Sequence, residues 1–337
     1  MLLIKKIIAL TVALVAITAS LISSANEASK TDKPIRIGVL VYGLSSQFMQ
    51  VWTKQARNHP AVLSGRVELI VLDGQYDAFI QNNQLKSLTT RNFDAAIFVP
   101  IDIEAGALGI KAAYDASIPV IGSDTRVNSD LLTSYIGSDD VQSGYMEAKF
   151  ITEKIGCKGN VVILEGPLEQ SASIERKEGN LKALAECPDV NILEMSNANW
   201  SRDDARLLME EWLEKHPGRI SGIIGQNDEM ALGAIDAIKL AGLEVGDFAI
   251  AGIDGIADAL YAVKKGEMVT IAQDAEAQAQ GAIDLALRQV LGSDYQPQAR
   301  IWYEYNHTPW NNGTDKNYDV PWTPVTPEKI DTLFHLH

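Results

Sequence analysis

Residues 222–238 read GIIGQNDEMALGAIDAI, an apolar run followed at once by a polar cluster and then by an amphipathic segment. Ile223 and Ile224 predict a buried strand, and the apolar residues after Met230 recur at helical spacing. The cluster 227–229 stands at the junction, where it either caps the helix or faces a ligand. A strand that passes directly into a helix is the first half of a βαβ unit. This stretch therefore predicts an α/β fold with parallel strands.

The same alternation of short β-rich runs and helical segments recurs from Lys33 onward. The runs are continuously apolar rather than alternating, which indicates parallel strands covered on both faces. The predicted strands lie within 35–48, 67–75, 95–102, 119–124, 134–140, 160–167, 191–200, 222–229, 248–255 and 269–276. So many strands in one open sheet would be unusually wide. The pattern favours two doubly wound parallel-sheet domains of about five strands each, divided near 137–142.

The C-terminal region departs from this pattern. Residues 299–305 (ARIWYEY) predict one further strand, whereas 306–326 is rich in Pro, Asn, Gly and aromatic residues without periodicity. We expect 306–326 to form an ordered surface extension and 327–334 to form a short closing helix.

Composition and the N-terminus indicate an exported globular protein. The chain has 337 residues with 46% hydrophobic and 22% charged content, enough for two separate cores. Residues 1–25 combine Lys5 and Lys6, an apolar stretch and small residues before Ala25, which is the layout of a cleaved signal peptide; the alternative is a membrane anchor. Removal of the two lysines takes the net charge from −15 to −17, a surface that repels nucleic acid and anionic lipid.

The two cysteines leave two interpretations open. In an oxidising compartment Cys157 and Cys187 form either one disulfide or two separate buried thiols. A metal site is not predicted, because no Cys-x-x-Cys motif or His pair at ligand spacing accompanies them.

Polar residues cluster where the predicted strands end, and each has an ordinary structural explanation. Asn227 or Asp228 would cap a helix while Glu229 supports its N-terminus, and Asp254 and Asp124 could also be caps. Further candidates at such ends are Phe48, Arg176, Trp200 and Gln273. Together they combine carboxylates, amides, an arginine and flat aromatic rings, which is the chemistry that the hydroxyl edges and C–H faces of a monosaccharide require. Dinucleotide, Walker and Gly-x-Ser-x-Gly motifs are absent from the sequence, so neither an enzyme nor a cofactor is predicted.

The motifs and their order resemble a known family. An exported chain with IGVLVYGLSSQFMQ near its start, then PVIGSD, SASIERKEG, GQNDEMALGAIDAI, AIAGIDG and VTIAQ, is similar to the ribose-type periplasmic sugar-binding proteins of bacterial ABC importers, which belong to the type I periplasmic binding proteins. The resemblance runs from about Pro34 to Gly292. It implies two lobes joined by three crossings: after a signal peptide at 1–25, an N-terminal lobe of 34–138 plus 274–300, and a C-terminal lobe of 139–273 plus 301–337.

The resemblance also implies the residues of the binding pocket. Phe48 and Trp200 would stack on the faces of the sugar ring, while Asp124 and Arg176 would bind hydroxyls from the two lobes. The polar ring would be completed by Asn227, Asp254 and Gln273. Asp228 and Glu229 are then left to serve the helix start.

The chain departs from the ribose type at several positions. Asp124 is followed by Thr125 where an arginine is common, and Ser45-Ser46 replaces an asparagine pair. Met49 replaces a second aromatic residue, and Val99 stands where an amide is frequent. Ser45, Ser46 and Thr125 are therefore secondary candidates for ligand contact, and fewer donors in the first lobe suggest a hexose, a polyol or a furanose form.

We therefore predict a monomeric, non-enzymatic periplasmic protein that captures a small sugar or polyol and delivers it to a membrane ABC permease. The alternative is a sugar-sensing receptor subunit for a chemoreceptor or a sensor kinase.

Overall fold

The computed structural model describes residues 33–306 and 308–330, which form two six-stranded sheets with interleaved helices. The strands are Ile35–Val41 (β1), Val67–Asp73 (β2), Ala95–Phe98 (β3), Val120–Ser123 (β4), Ser134–Gly137 (β5), Lys158–Glu165 (β6), Asp189–Asn197 (β7), Gly222–Gly225 (β8), Ala249–Asp254 (β9), Val269–Ala272 (β10), Asn317–Asp319 (β11) and Thr323–Val325 (β12). The helices are Gln47–Arg57 (α1), Pro60–Leu63 (α2), Ala78–Ser87 (α3), Ala107–Asp115 (α4), Asp140–Lys154 (α5), Ser171–Ala185 (α6), Arg202–Lys215 (α7), Asp228–Leu240 (α8), Ala257–Lys264 (α9), Ala275–Leu291 (α10) and Ile301–Glu304 (α11). Short 3-10 turns lie at Val245–Asp247 and Asn311–Gly313.

The two sheets repeat one topology. The first lobe has the strand order β11-β5-β4-β3-β1-β2, and the second lobe has β12-β10-β9-β8-β6-β7. Strands β1 to β5 pair in parallel, as do β6 to β10, which confirms the prediction of two doubly wound lobes. In each sheet the strand order reverses beside the first strand of its lobe, and ligands of such sheets bind outside the carboxyl ends of the strands.

Both faces of each sheet are covered, as the continuously apolar strands predict. In β1 the neighbouring residues Val39 and Leu40 are fully buried but belong to different apolar clusters, because successive side chains point to opposite faces. In β6 the same holds for Val162 and Ile163. Each fully buried aliphatic side chain contributes about 1.5–3 kcal/mol, so the two-sided cores hold each sheet in register.

The C-terminal tail divides between the lobes. Strand β11 pairs in parallel with β5, and β12 pairs antiparallel with β10. The sequence assigned all of 301–337 to the C-terminal lobe, whereas 317–319 extends the sheet of the first lobe. The extension predicted at 306–326 thus supplies one edge strand to each sheet. The predicted signal peptide and residues 331–334 of the predicted closing helix lie outside the described residues.

The prediction of a strand at 299–305 is wrong, because the centre of this segment forms the short helix α11. Its Trp302 indole N–H and the backbone N–H of Ala299 each donate to the buried Asp284 carboxylate, both at 2.7 Å. Tyr295 and His59 also hydrogen-bond this carboxylate. These bonds fix the segment against α10, away from a sheet edge where a strand could pair.

The chain crosses between the lobes three times. It crosses after β5 near Ser138, after β10 near Gln273, and between β11 and β12 at 320–322. The third crossing is anchored to the first, since the Trp322 indole N–H donates to the Asp139 carbonyl at 2.7 Å. The three-crossing hinge implied by the resemblance is thereby confirmed.

Candidate functional site

A cavity lies between the lobes, where the carboxyl ends of the strands from both sheets meet. About 250 Å³ of space there is free of protein atoms, including space that is open to solvent. The residues that line it are Tyr42, Phe48, Asp124, Thr125, Gln170, Ala172, Arg176, Trp200, Asn227, Asp254 and Gln273. Every pocket residue implied by the resemblance is among them. The fold therefore gathers side chains as far apart in sequence as Phe48 and Gln273 at one place.

Asp124 enters the cavity from the first lobe. It follows β4 with a φ of +61°, a left-handed conformation that Asp and Asn adopt more readily than most residues. The Tyr135 hydroxyl donates to the Asp124 carbonyl oxygen at 2.6 Å and holds this turn. Burial raises the pKa of the Asp124 carboxyl to about 8, with the nearby Asp140 and Asp254 adding to the shift and Arg176 opposing it. The carboxyl is thus close to titration at neutral pH, and hydrogen-bond donors on a ligand would stabilise its ionised form.

Asp254 enters from the second lobe at the end of β9. Its backbone has a φ of +127°, and the next two amides, of Gly255 and Ile256, donate to the Asp228 carboxylate at 2.7 and 3.0 Å. Asp228 was expected to serve the start of α8; it does lie in the first turn of that helix, and its carboxylate also fixes the loop that presents Asp254. Burial raises the pKa of Asp254 well above its usual range, although Arg176 opposes the shift.

Gln273 connects the cavity with the hinge. Its side-chain N–H donates to the Asp254 carboxylate at 3.1 Å, and its carbonyl oxygen accepts from the Gln278 amide at 2.9 Å. Gln278 also donates to the Ser138 hydroxyl at 3.3 Å, at the first crossing. The buried amide that the sequence left without a partner is therefore held in one orientation.

Arg176 is held on several sides before any ligand arrives. Its Nε donates to Asp140 at 2.7 Å, and one terminal nitrogen donates to the Gln226 carbonyl at 2.7 Å. The guanidinium also lies 5.4 Å from the centre of the Trp200 ring and 5.6 Å from that of Trp322. A side chain fixed this way loses little conformational entropy when it binds a hydroxyl.

The two aromatic residues come from opposite lobes. Phe48 lies in the first turn of α1 and is buried, and Trp200 follows β7 with a φ of +58°. Gly166 packs against the Trp200 ring so closely that a Cβ there would lie 2.1 Å from a ring carbon. The absence of a side chain at Gly166 is therefore what allows the indole to occupy its position.

The polar cluster 227–229 has three separate roles. The Asn227 side-chain oxygen caps α8 by accepting from the Met230 amide at 2.9 Å, while the residue also lines the cavity. Capping and cavity lining, which the sequence posed as alternatives, are thus combined at Asn227. The Glu229 carboxylate accepts from the Gln47 amide of the opposite lobe at 3.4 Å. Glu229 thus contacts the other lobe in addition to standing in the first turn of α8.

Of the three secondary candidates for ligand contact, one lines the cavity and two do not. Thr125 lines the cavity and donates its hydroxyl to the Pro100 carbonyl at 2.7 Å. Ser46 instead caps α1, and Ser45 is exposed in an outer groove that contains about 1380 Å³ free of protein atoms, so neither serine lines the inner cavity. Met49 and Val99, the two remaining departures from the ribose type, are fully buried and also lie outside the lining.

Sequence reasoning missed Tyr42, Gln170 and Ala172 as lining residues. Tyr42 directly follows β1, and Gln170 directly precedes α6. Their positions at strand-to-helix connections were the only available signal, because the parallel topology sends such connections to the cavity.

Cys157 and Cys187 form a disulfide, which settles the question left open by the sequence. Within residues 33–306 and 308–330, no cluster of three or more His, Cys, Asp or Glu side chains is arranged to hold a metal ion. In the same part of the chain, no helix has the length and apolarity needed to cross a bilayer.

A family model described as a periplasmic binding protein domain matches residues 37–294. The chain is a type I periplasmic binding protein of the ribose type. This periplasmic binding protein is 34% identical over 260 residues to the xylitol-binding protein of Mycolicibacterium smegmatis, covering 77% of this chain and 73% of that relative. It is 31% identical over 249 residues to the ribose import binding protein RbsB of Bacillus subtilis, covering 74% of this chain and 79% of that relative.

Among solved structures, this periplasmic binding protein is similar to an ABC transporter periplasmic solute binding protein from Actinobacillus succinogenes with bound D-allose. The TM-score is 0.76 at 31% sequence identity, covering 89% of this chain and 100% of the other. Members of the family bind sugars without catalysing a reaction, and they are exported proteins. This periplasmic binding protein is therefore a binding protein and not an enzyme.

Proposed function

We propose that the protein binds a neutral monosaccharide or polyol in the interlobe cavity, in the periplasm, and delivers it to a membrane ABC permease. The observation that carries this proposal is the joint lining of one cavity by Asp124 of the first lobe and by Arg176 and Asp254 of the second. A ligand that pairs with groups from both lobes stabilises their closed arrangement, which is a population shift toward the closed state.

The balance of charge supports a neutral, hydroxyl-rich ligand. Asp124 and Asp254 offer carboxylate acceptors, and Thr125 already uses its own hydroxyl hydrogen on the Pro100 carbonyl. Among the described residues of the lining, Arg176 is the arginine, and it already pairs with Asp140 at 2.7 Å and lies 3.9 Å from the Asp254 carboxylate. A ligand hydroxyl can donate to each carboxyl in its ionised form and accept from it in its protonated form, whereas an anionic ligand would be repelled by each carboxylate that is ionised.

The relatives support the same class of ligand. One is named for binding xylitol and another for ribose import, and a solved structure contains D-allose. This chain resembles all three in sequence, and its cavity combines three aromatic side chains, those of Tyr42, Phe48 and Trp200, with the polar groups that such ligands require.

The ligand is tested by thermal shift and calorimetry against ribose, D-allose, xylitol, myo-inositol and the corresponding sugar acids. A neutral compound should raise the melting temperature, since a ligand that binds only the folded state stabilises it. Asp254→Asn should abolish this shift, while the exposed Asp189→Asn serves as the matched control. Binding of the sugar acids alone would contradict the proposal.

Delivery to a permease, periplasmic location and a monomeric state are parts of the same proposal. The mature protein recovered from a periplasmic fraction should begin at Asn26 and elute as a monomer. Deletion of the gene should abolish uptake of the radiolabelled ligand. The sensing alternative predicts normal uptake together with the loss of a transcriptional or chemotactic response.

A further inference from the structure

Three consecutive residues, the first of α6 and the two before it, contact the opposite lobe. The Glu169 carbonyl accepts from the Ile103 amide at 2.9 Å, and the Ser171 hydroxyl accepts from the Arg126 amide at 2.7 Å. Between them, the Gln170 side chain reaches the first lobe as well. We name residues 169–171 the clasp. Its contacts exist only when the lobes are closed, because each joins one lobe to the other.

Gln170 is the member of the clasp that also touches an aromatic lining residue. Its side-chain N–H donates to the Pro100 carbonyl of the first lobe at 2.8 Å, and its side-chain oxygen accepts from the Trp200 indole N–H of the second. The amide is 1% exposed and is satisfied in this orientation only, since a flipped amide would turn N–H groups toward the indole N–H.

The side chain of Gln170 does not cap the helix that it precedes. It occupies the N-cap of α6 but makes no capping hydrogen bond. Ser, Thr, Asp and Asn are the residues that cap helices, and a glutamine is too long to do so well. Its length is instead what spans the distance between the indole and the opposite lobe.

The Pro100 carbonyl completes the connection. It accepts from Gln170 and also from the Thr125 hydroxyl, at 2.8 and 2.7 Å. Thr125 and Trp200 both line the cavity, one from each lobe. One buried carbonyl thus joins, through two side chains, the two walls of the cavity.

We propose that Gln170 is a positioning residue that fixes the Trp200 ring in its stacking orientation only when the lobes are closed, and that the clasp thereby slows ligand release. This inference rests on the proposed function. Opening would break the Gln170–Pro100 bond, which is the one that joins the lobes, whereas Trp200 lies in the same lobe as Gln170. The amide would then be free to rotate and would no longer present a fixed acceptor to the indole, so the ring would hold the ligand firmly only in the closed state. The Gln170–Pro100 bond belongs to the closed complex and the Gln170–Trp200 bond depends on it for its orientation, so their loss should raise koff and leave kon nearly unchanged.

The test compares Gln170→Leu, which removes both bonds, with Gln170→Glu, which keeps the acceptor but loses the donor. Gln142→Leu, at an exposed position of α5, is the matched control. Stopped-flow fluorescence with D-allose, xylitol and ribose gives koff and kon, and donor and acceptor dyes on the two lobes report the closed fraction with and without sugar. Gln170→Leu should raise koff about tenfold, the loss of one to two net hydrogen bonds.

Gln170→Glu supplies a readout that a purely structural role would not change. Its koff, relative to wild type at each pH, should fall toward the wild-type value on acidification, because a protonated carboxyl can again donate to the Pro100 carbonyl. A koff for Gln170→Leu within twofold of wild type would overturn the inference, as would an equal rise for Gln142→Leu. If wild type binds none of these sugars, the proposed function fails. In that case the closed fraction reported by the dyes is the remaining test. A closed fraction in ligand-free Gln170→Leu equal to that of ligand-free wild type overturns the inference.

Discussion

Replacement of Asp124 by Asn should make the ligand-free protein more stable while it weakens ligand binding. The Asp124 carboxyl is buried, and burial raises its pKa from 3.8 to about 8. Between these two pH values the folded protein keeps the proton that the unfolded chain has lost. Because the folded state then binds more protons, its stability falls as pH rises through this window. Asn carries no titrating proton and also suits the φ of +61° at this position.

The size of the effect follows from the pKa difference. At pH 7 the unfolded chain lies about three pH units above its pKa, so the buried carboxyl lowers the free energy of unfolding by about 4 kcal/mol. At pH 5 the buried carboxyl lowers the free energy of unfolding by only about 2 kcal/mol, because the unfolded chain is then about one pH unit above its pKa. Asp124→Asn should therefore raise the free energy of unfolding by about 4 kcal/mol at pH 7 and by about half as much at pH 5.

Urea unfolding of wild type and Asp124→Asn at pH 5, 6, 7 and 8 provides the measurement, with Asp189→Asn as the exposed control. Asp140 and Asp254 remain in both proteins, so the difference between the two curves reports Asp124 together with its interaction with these two carboxyls. The reasoning would be refuted if Asp124→Asn raised the free energy of unfolding by the same amount at pH 5 and pH 7, or if it lowered that free energy at pH 7. Ligand affinity of wild type should rise from pH 6 to pH 8, because donor hydroxyls favour the ionised carboxylate.

Three further results are expected. Trp200→Ala should weaken sugar binding by about 1–3 kcal/mol in calorimetry, since it removes a stacking surface; unchanged affinity would exclude the ring from contact. Asp284→Asn should lower the free energy of urea unfolding by about 3 kcal/mol, because an amide would face donors such as the Trp302 indole; a change below about 1 kcal/mol would contradict this. Reduction of the Cys157–Cys187 disulfide, which joins positions 30 residues apart, should cost about 3–4 kcal/mol by the same assay, and two titratable thiols in the unreduced protein would show that the bond is absent.

The separate roles within 227–229 illustrate how far local reasoning extends. The sequence placed this cluster at a strand-to-helix junction, which the structure confirms at the end of β8 and the start of α8. Capping by Asn227 is a contact within three residues and could be inferred locally. The bonds from Asp228 to the loop after β9, and from Glu229 to Gln47, span long stretches of chain. Such partners depend on which loops meet in space, and no local pattern encodes that.

The sequence by itself determined the order of strands and helices, the two parallel-sheet lobes and the polar residues at the strand ends. These follow from apolar periodicity and from residue chemistry that acts within a few positions. The resemblance to a family predicted seven of the residues that line the cavity, of which Phe48 is the first in sequence and Gln273 the last. The tertiary structure alone decided that 299–305 is not a strand, that the tail divides between the sheets, and that Gln170 joins Trp200 to the opposite lobe. Each of these depends on partners brought together only when the lobes pack, because a buried polar group is satisfied by whatever donor or acceptor the fold places beside it.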